Sequence, residues 1–105
     1  SARELARTYG ATVVLKGQHT IIAQEEGPVM INSTGNSGLA QGGSGDVLAG
    51  YIAGILAQPS FKDRVIQGVA YSVWKHGRAA DKLSQKSENW GMDQLIEEIG
   101  YRDFD

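Results

Sequence analysis

The sequence of 105 residues contains no cysteine and only two prolines, and its lysine and arginine residues form no cluster. The lack of cysteine excludes disulfide bonds and thiolate metal sites. Scattered basic residues and a formal net charge of −2 disfavour nucleic acid and anionic membranes as partners, because both require clustered positive charge. The composition therefore favours a small molecule as the partner.

The chain also lacks a long apolar run and a secretory signal pattern, so we expect a cytoplasmic protein. Its length suits one domain or part of one. Residues 1–5 have the composition of the middle of a helix and include no initiator methionine. This beginning indicates a fragment or a processed product.

The first third of the chain is predicted to form a helix followed by three strands. A helical face over residues 3–9 ends at a glycine, which is typical of helix C-termini. The apolar run Val13–Leu15 does not alternate with polar residues, which predicts a strand covered on both faces, as in a parallel sheet. Residues 20–23 and 29–32 flank a Gly-Pro turn and are predicted to pair as antiparallel strands.

The rest of the chain is predicted to be helical. Over residues 47–58, large apolar residues lie on one helical face and small ones on the other, so we expect this helix to be buried and its small face to need a partner surface. A second helix is predicted from residue 65 towards 83, with Ser60 as a candidate cap, and an amphipathic helix over 92–99.

A glycine-dense segment, residues 35–46, lies directly before the first of these helices and ends at Asp46. Closely spaced small residues let backbone N–H groups converge on an anion, and a helix N-terminus adds further donors. We therefore expect a phosphate ligand, beside which a lone carboxylate typically takes a proton or holds a metal ion. Alternatively, the glycines form only a turn and Asp46 only caps the helix. The redundancy of Gly42, Gly43 and Gly45 argues against this alternative, because every glycine costs conformational entropy.

The glycine segment matches none of three familiar site motifs. A P-loop requires a lysine after its last glycine, but Asp46 follows Gly45. A dinucleotide fingerprint requires a glycine three residues after Gly45, and a nucleophile elbow requires one two residues after Ser44. These comparisons leave a phosphoryl-transfer site without a loop lysine.

Two segments together closely resemble the ribokinase-like NAD(P)H-hydrate dehydratases, the carbohydrate-kinase-like domain of YjeF-type proteins. They are VVLKGQHT at residues 13–20 and NSGLAQGGSGDVLAG at residues 36–50, and WKHGRAAD at residues 74–81 is similar to the penultimate helix of that family. The resemblance implies an α/β fold of the ribokinase-like three-layer α/β/α type. Residues 1–105 would form the C-terminal part of a single domain, with a few strands and three to four helices.

The resemblance also implies a repair reaction, in which hydrated NADH or NADPH is dehydrated back to the cofactor with ADP or ATP as co-substrate and with Mg²⁺. By analogy with related kinases, Asp46 would act as base on the hydrate hydroxyl, which attacks the terminal phosphoryl group before phosphate is eliminated. The family's adenine nucleotide site matches the residues Lys16, Gly17, Gln18, His19, Thr20 and Gly45. The N–H groups of Gly43, Ser44 and Gly45 could also stabilise charge on the transferred phosphoryl group.

Several of these residues have a structural alternative. Lys16 could neutralise a phosphate or lie as a solvated charge at a strand edge. His19 is open in the same way, and a lone histidine is not a metal site, so we assign no residue to a metal. Asn36 could hydrogen-bond a nucleotide or hold a turn. The position of His76 beside Lys75 favours a surface or helix-packing role.

Two other functions remain open. One is a small-molecule kinase of the same superfamily, although the Asn36-Ser37-Gly38 lead-in to the glycines favours the dehydratase. The other is a binding module or an inert fragment, because the N-terminal part of the family domain supplies several contacts to the hydrated cofactor. The family is often tetrameric, so we expect a homo-oligomer or association with that N-terminal part.

Overall fold

The computed structural model describes residues 1–16 and 19–100 of the chain. This part contains four helices and three strands. In chain order they are α1 (Ala2–Tyr9), β1 (Val13–Leu15), β2 (Thr20–Ala23), β3 (Met30–Asn32), α2 (Ser44–Leu56), α3 (Val65–Lys86) and α4 (Met92–Ile99), with 3₁₀ turns at Ser37–Ala40 and Pro59–Phe61. The predicted hairpin and the predicted α/β character are confirmed.

The three strands form one antiparallel sheet in the order β1-β2-β3. The register aligns Val14, Ile22 and Met30 across the sheet, and these residues join a core cluster with side chains of α2 and α3. The prediction that β1 belongs to a parallel sheet is wrong for the described residues, because β1 pairs antiparallel with β2. Both faces of β1 are contacted, by α1 on one side and by the core cluster at Val14 on the other, although Leu15 is 41% exposed. A run of three apolar residues is too short for periodicity to distinguish a strand of a parallel sheet from one of an antiparallel sheet.

The opposite face of the sheet is covered only in part. Side chains alternate along a strand, so the fully buried Ala23 lies on the face opposite Ile22, where α1 packs against β1 and β2. This arrangement places the sheet between α1 on one side and α2 with α3 on the other. Towards β3 the same face is open, and Ile31 is 70% exposed.

The second helix, α2, is less buried than its sequence predicts. Leu48 and Ile55 point into the core, but the small residues Ala49, Gly50, Ala53 and Gly54 are exposed. A Cβ added at Gly50 or Gly54 would meet no atom within 4 Å. Among the described residues α2 is therefore open on its small-residue face, and no described segment supplies the partner surface that the sequence predicts.

The long helix α3 holds the structure together instead, because it packs against α2, α4, β2 and β3. Its last turns form a second core cluster with Trp90 and with Leu95 of α4. The Lys86 ammonium donates to the buried Glu98 carboxylate at 3.0 Å, which ties the ends of α3 and α4 together. The helix begins after Arg64 rather than near Ser60, which lies in a 3₁₀ turn.

Candidate active site

The glycine segment ends inside a helix rather than before one. The cap residue of α2 is Gly43, whose φ of 91° lies in the left-handed region that favours glycine. Ser44, Gly45 and Asp46 therefore form the first turn of the helix, three residues earlier than the apolar pattern predicts. In a first helical turn, backbone N–H groups lack partners within the helix, so this turn is where an anion could bind.

The N–H groups of this turn are not equally available. The Ser44 N–H donates to the Gln41 carbonyl at 3.3 Å. Within the part of the chain that the structure describes, the N–H groups of Gly45 and Asp46 have no acceptor. Two adjacent donors at the positive end of a helix dipole suit a phosphate oxygen.

The Asp46 carboxylate is exposed at the same helix end. The α2 cap involves no side-chain hydrogen bond, and across residues 1–16 and 19–100 Asp46 has no ion-pair or hydrogen-bond partner. The alternative in which Asp46 serves only as a cap is therefore disfavoured. The carboxylate is available to accept a proton from a bound hydroxyl.

Only one of the three clustered glycines is needed for the turn. Gly43 requires its positive φ, whereas Gly42 and Gly45 have ordinary backbone angles and open space where a Cβ would lie. Glycine at these two positions costs stability without relieving any contact in the chain. The open backbone that remains lets another molecule approach closely.

A buried histidine lies directly behind this turn. His76 of α3 is 2% exposed and Ser44 is 1% exposed, and the His76 Nε2 atom lies 3.1 Å from the Ser44 carbonyl oxygen and 3.3 Å from its hydroxyl. Burial, with the nearby Lys16 charge, lowers the pKa of His76, while the hydrogen bond to Ser44 opposes this shift. Of the two predicted roles of His76, helix packing is confirmed and a surface position is wrong, because the side chain is buried. Its polar contact with Ser44 was not predicted.

The beginning of the glycine segment is held by a carboxylate that the sequence analysis missed. Asp81 of α3 accepts hydrogen bonds from the Gly35 N–H and the Asn36 amide, both at 3.0 Å. The Asn36 side-chain oxygen in turn accepts from the Gly38 N–H at 2.9 Å. Asn36 thus holds a turn, whether or not it also meets a nucleotide.

One face of α3 packs closely against the residues just before the glycine segment. The Thr34 hydroxyl donates to the Trp74 carbonyl at 3.1 Å. One turn later, a Cβ at Gly77 would lie 2.6 Å from the Thr34 carbonyl carbon, which only glycine permits. Together with Asp81, these contacts follow the helical spacing of one face and position the loop.

A cavity of about 620 Å³ lies between the sheet, this loop and α3. Its lining includes the candidate residues Lys16, Thr20 and Asn36, together with His76 and Gly77. The remaining lining residues are Asn32, Thr34, Gly35, Ser37, Leu39, Ala40, Leu48 and Val73. One cation among hydroxyl and amide groups suits an anionic polar ligand.

The structure brings together only some of the candidate residues. His19 is exposed and does not line the cavity, and neither do Gly43, Ser44, Gly45 and Asp46. His76 connects the two groups, since it lines the cavity and contacts Ser44. Gly17 and Gln18 lie outside the described residues.

The described part of the chain contains neither a cluster of metal ligands nor a helix suited to span a membrane. No group of three or more His, Cys, Asp or Glu side chains within it lies close enough to hold a metal ion. None of the helices found there is both long enough and apolar enough to span a membrane.

Comparison with known proteins gives consistent matches. The sequence profile described as NAD(P)H-hydrate dehydratase matches residues 1–100. The ADP-dependent (S)-NAD(P)H-hydrate dehydratase of Neisseria meningitidis serogroup B is 40% identical over 87 residues, which are 83% of this chain and 28% of that protein. The bifunctional NAD(P)H-hydrate repair enzyme Nnr of Synechocystis is 46% identical over 83 residues, which are 79% of this chain and 16% of that enzyme.

A solved structure shares the fold. The ADP/ATP-dependent NAD(P)H-hydrate dehydratase of Bacillus subtilis, co-crystallised with ATP and Mg²⁺, superposes with a TM-score of 0.80 and is 32% identical, covering 93% of this chain and 35% of that one. The chain thus spans about a third or less of the relatives it matches. The predicted ribokinase-like fold is confirmed, and the chain belongs to the NAD(P)H-hydrate dehydratase family.

Proposed function

We propose that the complete protein carrying this chain dehydrates hydrated NADH or NADPH back to the cofactor, with ADP or ATP as co-substrate. Family membership supports this function. The observation that carries it is the exposed carboxylate of Asp46 in the same helical turn as two N–H groups that find no acceptor among the described residues. A base and an anion site side by side are what transfer of a phosphoryl group to a hydroxyl requires.

In the proposed reaction, Asp46 accepts the proton of the hydrate hydroxyl as its oxygen attacks the terminal phosphorus of the nucleotide. The bond from that phosphorus to the bridging oxygen breaks, which leaves AMP from ADP or ADP from ATP. The phosphorylated hydrate then loses inorganic phosphate and a neighbouring proton, which restores the double bond of the dihydronicotinamide ring. The N–H groups of Gly45 and Asp46 stabilise charge on the phosphoryl group during transfer.

We assign the adenine nucleotide to the cavity and the adjoining segment. Lys16 and Thr20 line the cavity, and Gly17, Gln18 and His19 lie between them in the sequence. The ammonium of Lys16 would pair with a phosphate. Asn36 contributes by fixing the cavity wall. The backbone of Gly43, Ser44 and Gly45 would lie beside the terminal phosphate, with the Gly45 N–H as its donor, because the Ser44 N–H already donates to the Gln41 carbonyl.

The chain's own residues fit Mg²⁺ only as a companion of the nucleotide. The described residues offer no cluster of three metal ligands, and Mg²⁺ commonly binds through substrate phosphates, waters and one or two carboxylates. The ion would neutralise phosphate charge in the bound nucleotide. The protein contributes the N–H groups and the base.

We further propose that this chain packs against a second copy of itself or against the N-terminal part of its domain. Two open apolar surfaces support this association. One is the small-residue face of α2, and the other is the sheet face that includes Leu15 and Ile31. A cytoplasmic location belongs to the same proposal.

The proposed function is tested by supplying the complete protein with hydrated NADH and ADP. We expect NADH and inorganic phosphate to form in equal amounts and at equal rates. A protein that phosphorylates a sugar or vitamin alcohol and leaves the hydrate unchanged would be a kinase of the same superfamily instead.

A further inference from the structure

The contact between His76 and Ser44 bears on which ring nitrogen of His76 carries the hydrogen. The His76 Nε2 atom lies 3.1 Å from the Ser44 carbonyl oxygen and 3.3 Å from the Ser44 hydroxyl. A carbonyl oxygen can only accept a hydrogen bond, so the shorter contact favours a hydrogen on Nε2. Burial and the Lys16 charge lower the pKa of His76, which favours the neutral ring at neutral pH. The shorter contact and the lowered pKa both favour the neutral Nε2–H tautomer.

This hydrogen bond reaches the part of α2 on which the proposed chemistry depends. Ser44 is the first residue of α2, and the cap residue Gly43 has no side chain with which to hold it. The two N–H donors and the Asp46 carboxylate follow Ser44 immediately in the same turn. A shift of Ser44 would consequently move the base and the anion site together.

A histidine is also a costly residue to place here for packing alone. Its neighbours on the buried face of α3 are Val69, Val73 and Ala80, so a leucine would bury more apolar area without a polar atom to satisfy. The polar ring gains its only described hydrogen-bond partner, Ser44, at the start of α2.

We propose that His76 is a positioning residue, which fixes the first turn of α2 through its Nε2–H and thereby sets Asp46 and the neighbouring N–H groups for phosphoryl transfer. This role rests on the proposed function. It does not require His76 to touch the reacting atoms.

The test compares two substitutions in the complete protein, assayed with hydrated NADH and ADP. His76→Gln keeps an N–H donor close to the position of Nε2, and His76→Leu keeps the volume without the donor. We expect kcat of His76→Leu to fall about 10- to 100-fold, since a displacement of about 1 Å at a site can cost about 100-fold. The KM for ADP should change less than kcat, because His76 is only one of the residues that line the cavity and Lys16 and Thr20 remain in place, and His76→Gln should restore most of kcat.

Ser72→Ala is the matched control. Ser72 is fully buried one turn earlier in α3, and its hydroxyl donates to the Gly68 carbonyl of the same helix at 2.8 Å. Its removal disturbs the interior of α3 without touching α2's first turn, so kcat should stay near the wild-type value. Equal losses of kcat in Ser72→Ala and His76→Leu would overturn the proposal, and so would a wild-type kcat in His76→Leu or a loss in His76→Gln as large as in His76→Leu.

The protonation state gives a second readout that needs no variant. Long-range ¹H–¹⁵N correlation spectra of the complete wild-type protein at neutral pH should show His76 as the neutral Nε2–H tautomer, and this result would support the proposal even if His76→Leu failed to fold. An Nδ1–H tautomer or an imidazolium would overturn it. A wild-type protein without dehydratase activity would instead refute the proposed function, which separates the two failures.

Discussion

Substitution of Gly45 by alanine should make the protein more stable and its nucleotide binding weaker. Gly45 lies in the first turn of α2 without a positive φ, and a Cβ there would meet no atom within 4 Å. The chain itself therefore has no need for glycine at this position. A phosphate that approaches the backbone of this turn would give a reason for its presence.

The two effects have different sizes and different causes. Alanine is favoured over glycine in helix interiors by up to about 1 kcal/mol, and we expect about 0.5 kcal/mol in this first turn. That gain corresponds to a rise in Tm of about 2–4 °C for a chain of this size. A hydrogen bond from the Gly45 N–H to a phosphate is worth about 1.5–3 kcal/mol, so a methyl group that blocks it should weaken ADP binding about 10- to 100-fold.

The assays are thermal unfolding of the chain and calorimetric titration of the complete protein with ADP. Gly50→Ala is the matched control, because Gly50 lies in the same helix and also has open space around its Cβ position. It should raise stability by about 1 kcal/mol and leave ADP affinity unchanged. A Gly45→Ala variant that binds ADP like the wild type would refute the placement of the nucleotide at this turn.

Four further outcomes are expected. In the complete protein, Asp46→Asn should nearly abolish turnover while ADP binding stays close to wild type, and retained turnover would exclude Asp46 as the base. Gly77→Ala should destabilise the chain by about 1–3 kcal/mol in urea unfolding, because its Cβ would clash with loop backbone. Asp81→Asn should cost about 1–2 kcal/mol by the same measurement, since its carboxylate accepts two hydrogen bonds from the loop. Because the folded-state pKa of His76 is lowered from 6.5, the unfolded chain binds protons first on acidification. The contribution of the neutral His76 to the free energy of unfolding should therefore be complete above pH 6.5 and be lost as the pH falls towards the folded-state pKa. Unfolding measured at several pH values should show a smaller decline in His76→Gln.

Helices and strands are predicted correctly where the apolar pattern and the turn or cap residues indicate the same boundary. The end of α1 at Gly10 follows from the left-handed φ of 58° there, which glycine adopts readily. The hairpin follows from two apolar runs around a Gly-Pro turn. The apolar pattern predicts a start of α2 three residues too late. Ser44 and Gly45 are poor helix formers in a helix interior, but a first turn tolerates them.

The support of the site could not be predicted from local pattern. Asp81 binds Asn36 across 45 residues of sequence, and Gly77 meets Thr34 only once α3 and the loop are packed together. The burial of His76 could have been predicted from the sequence, because its spacing from Val69, Val73 and Ala80 is that of one helical face. The sequence predicts a partner surface for the small face of α2, and no segment among residues 1–16 and 19–100 covers Gly50 or Gly54.

The most direct test of the central claim is the reaction of the complete protein with hydrated NADH in the presence and absence of ADP, followed by NADH absorbance and phosphate release. The account predicts that NADH and phosphate appear together in the wild type only when the nucleotide is present, and that both disappear in Asp46→Asn. Recovery of NADH without nucleotide, or phosphate release that does not depend on Asp46, would contradict it.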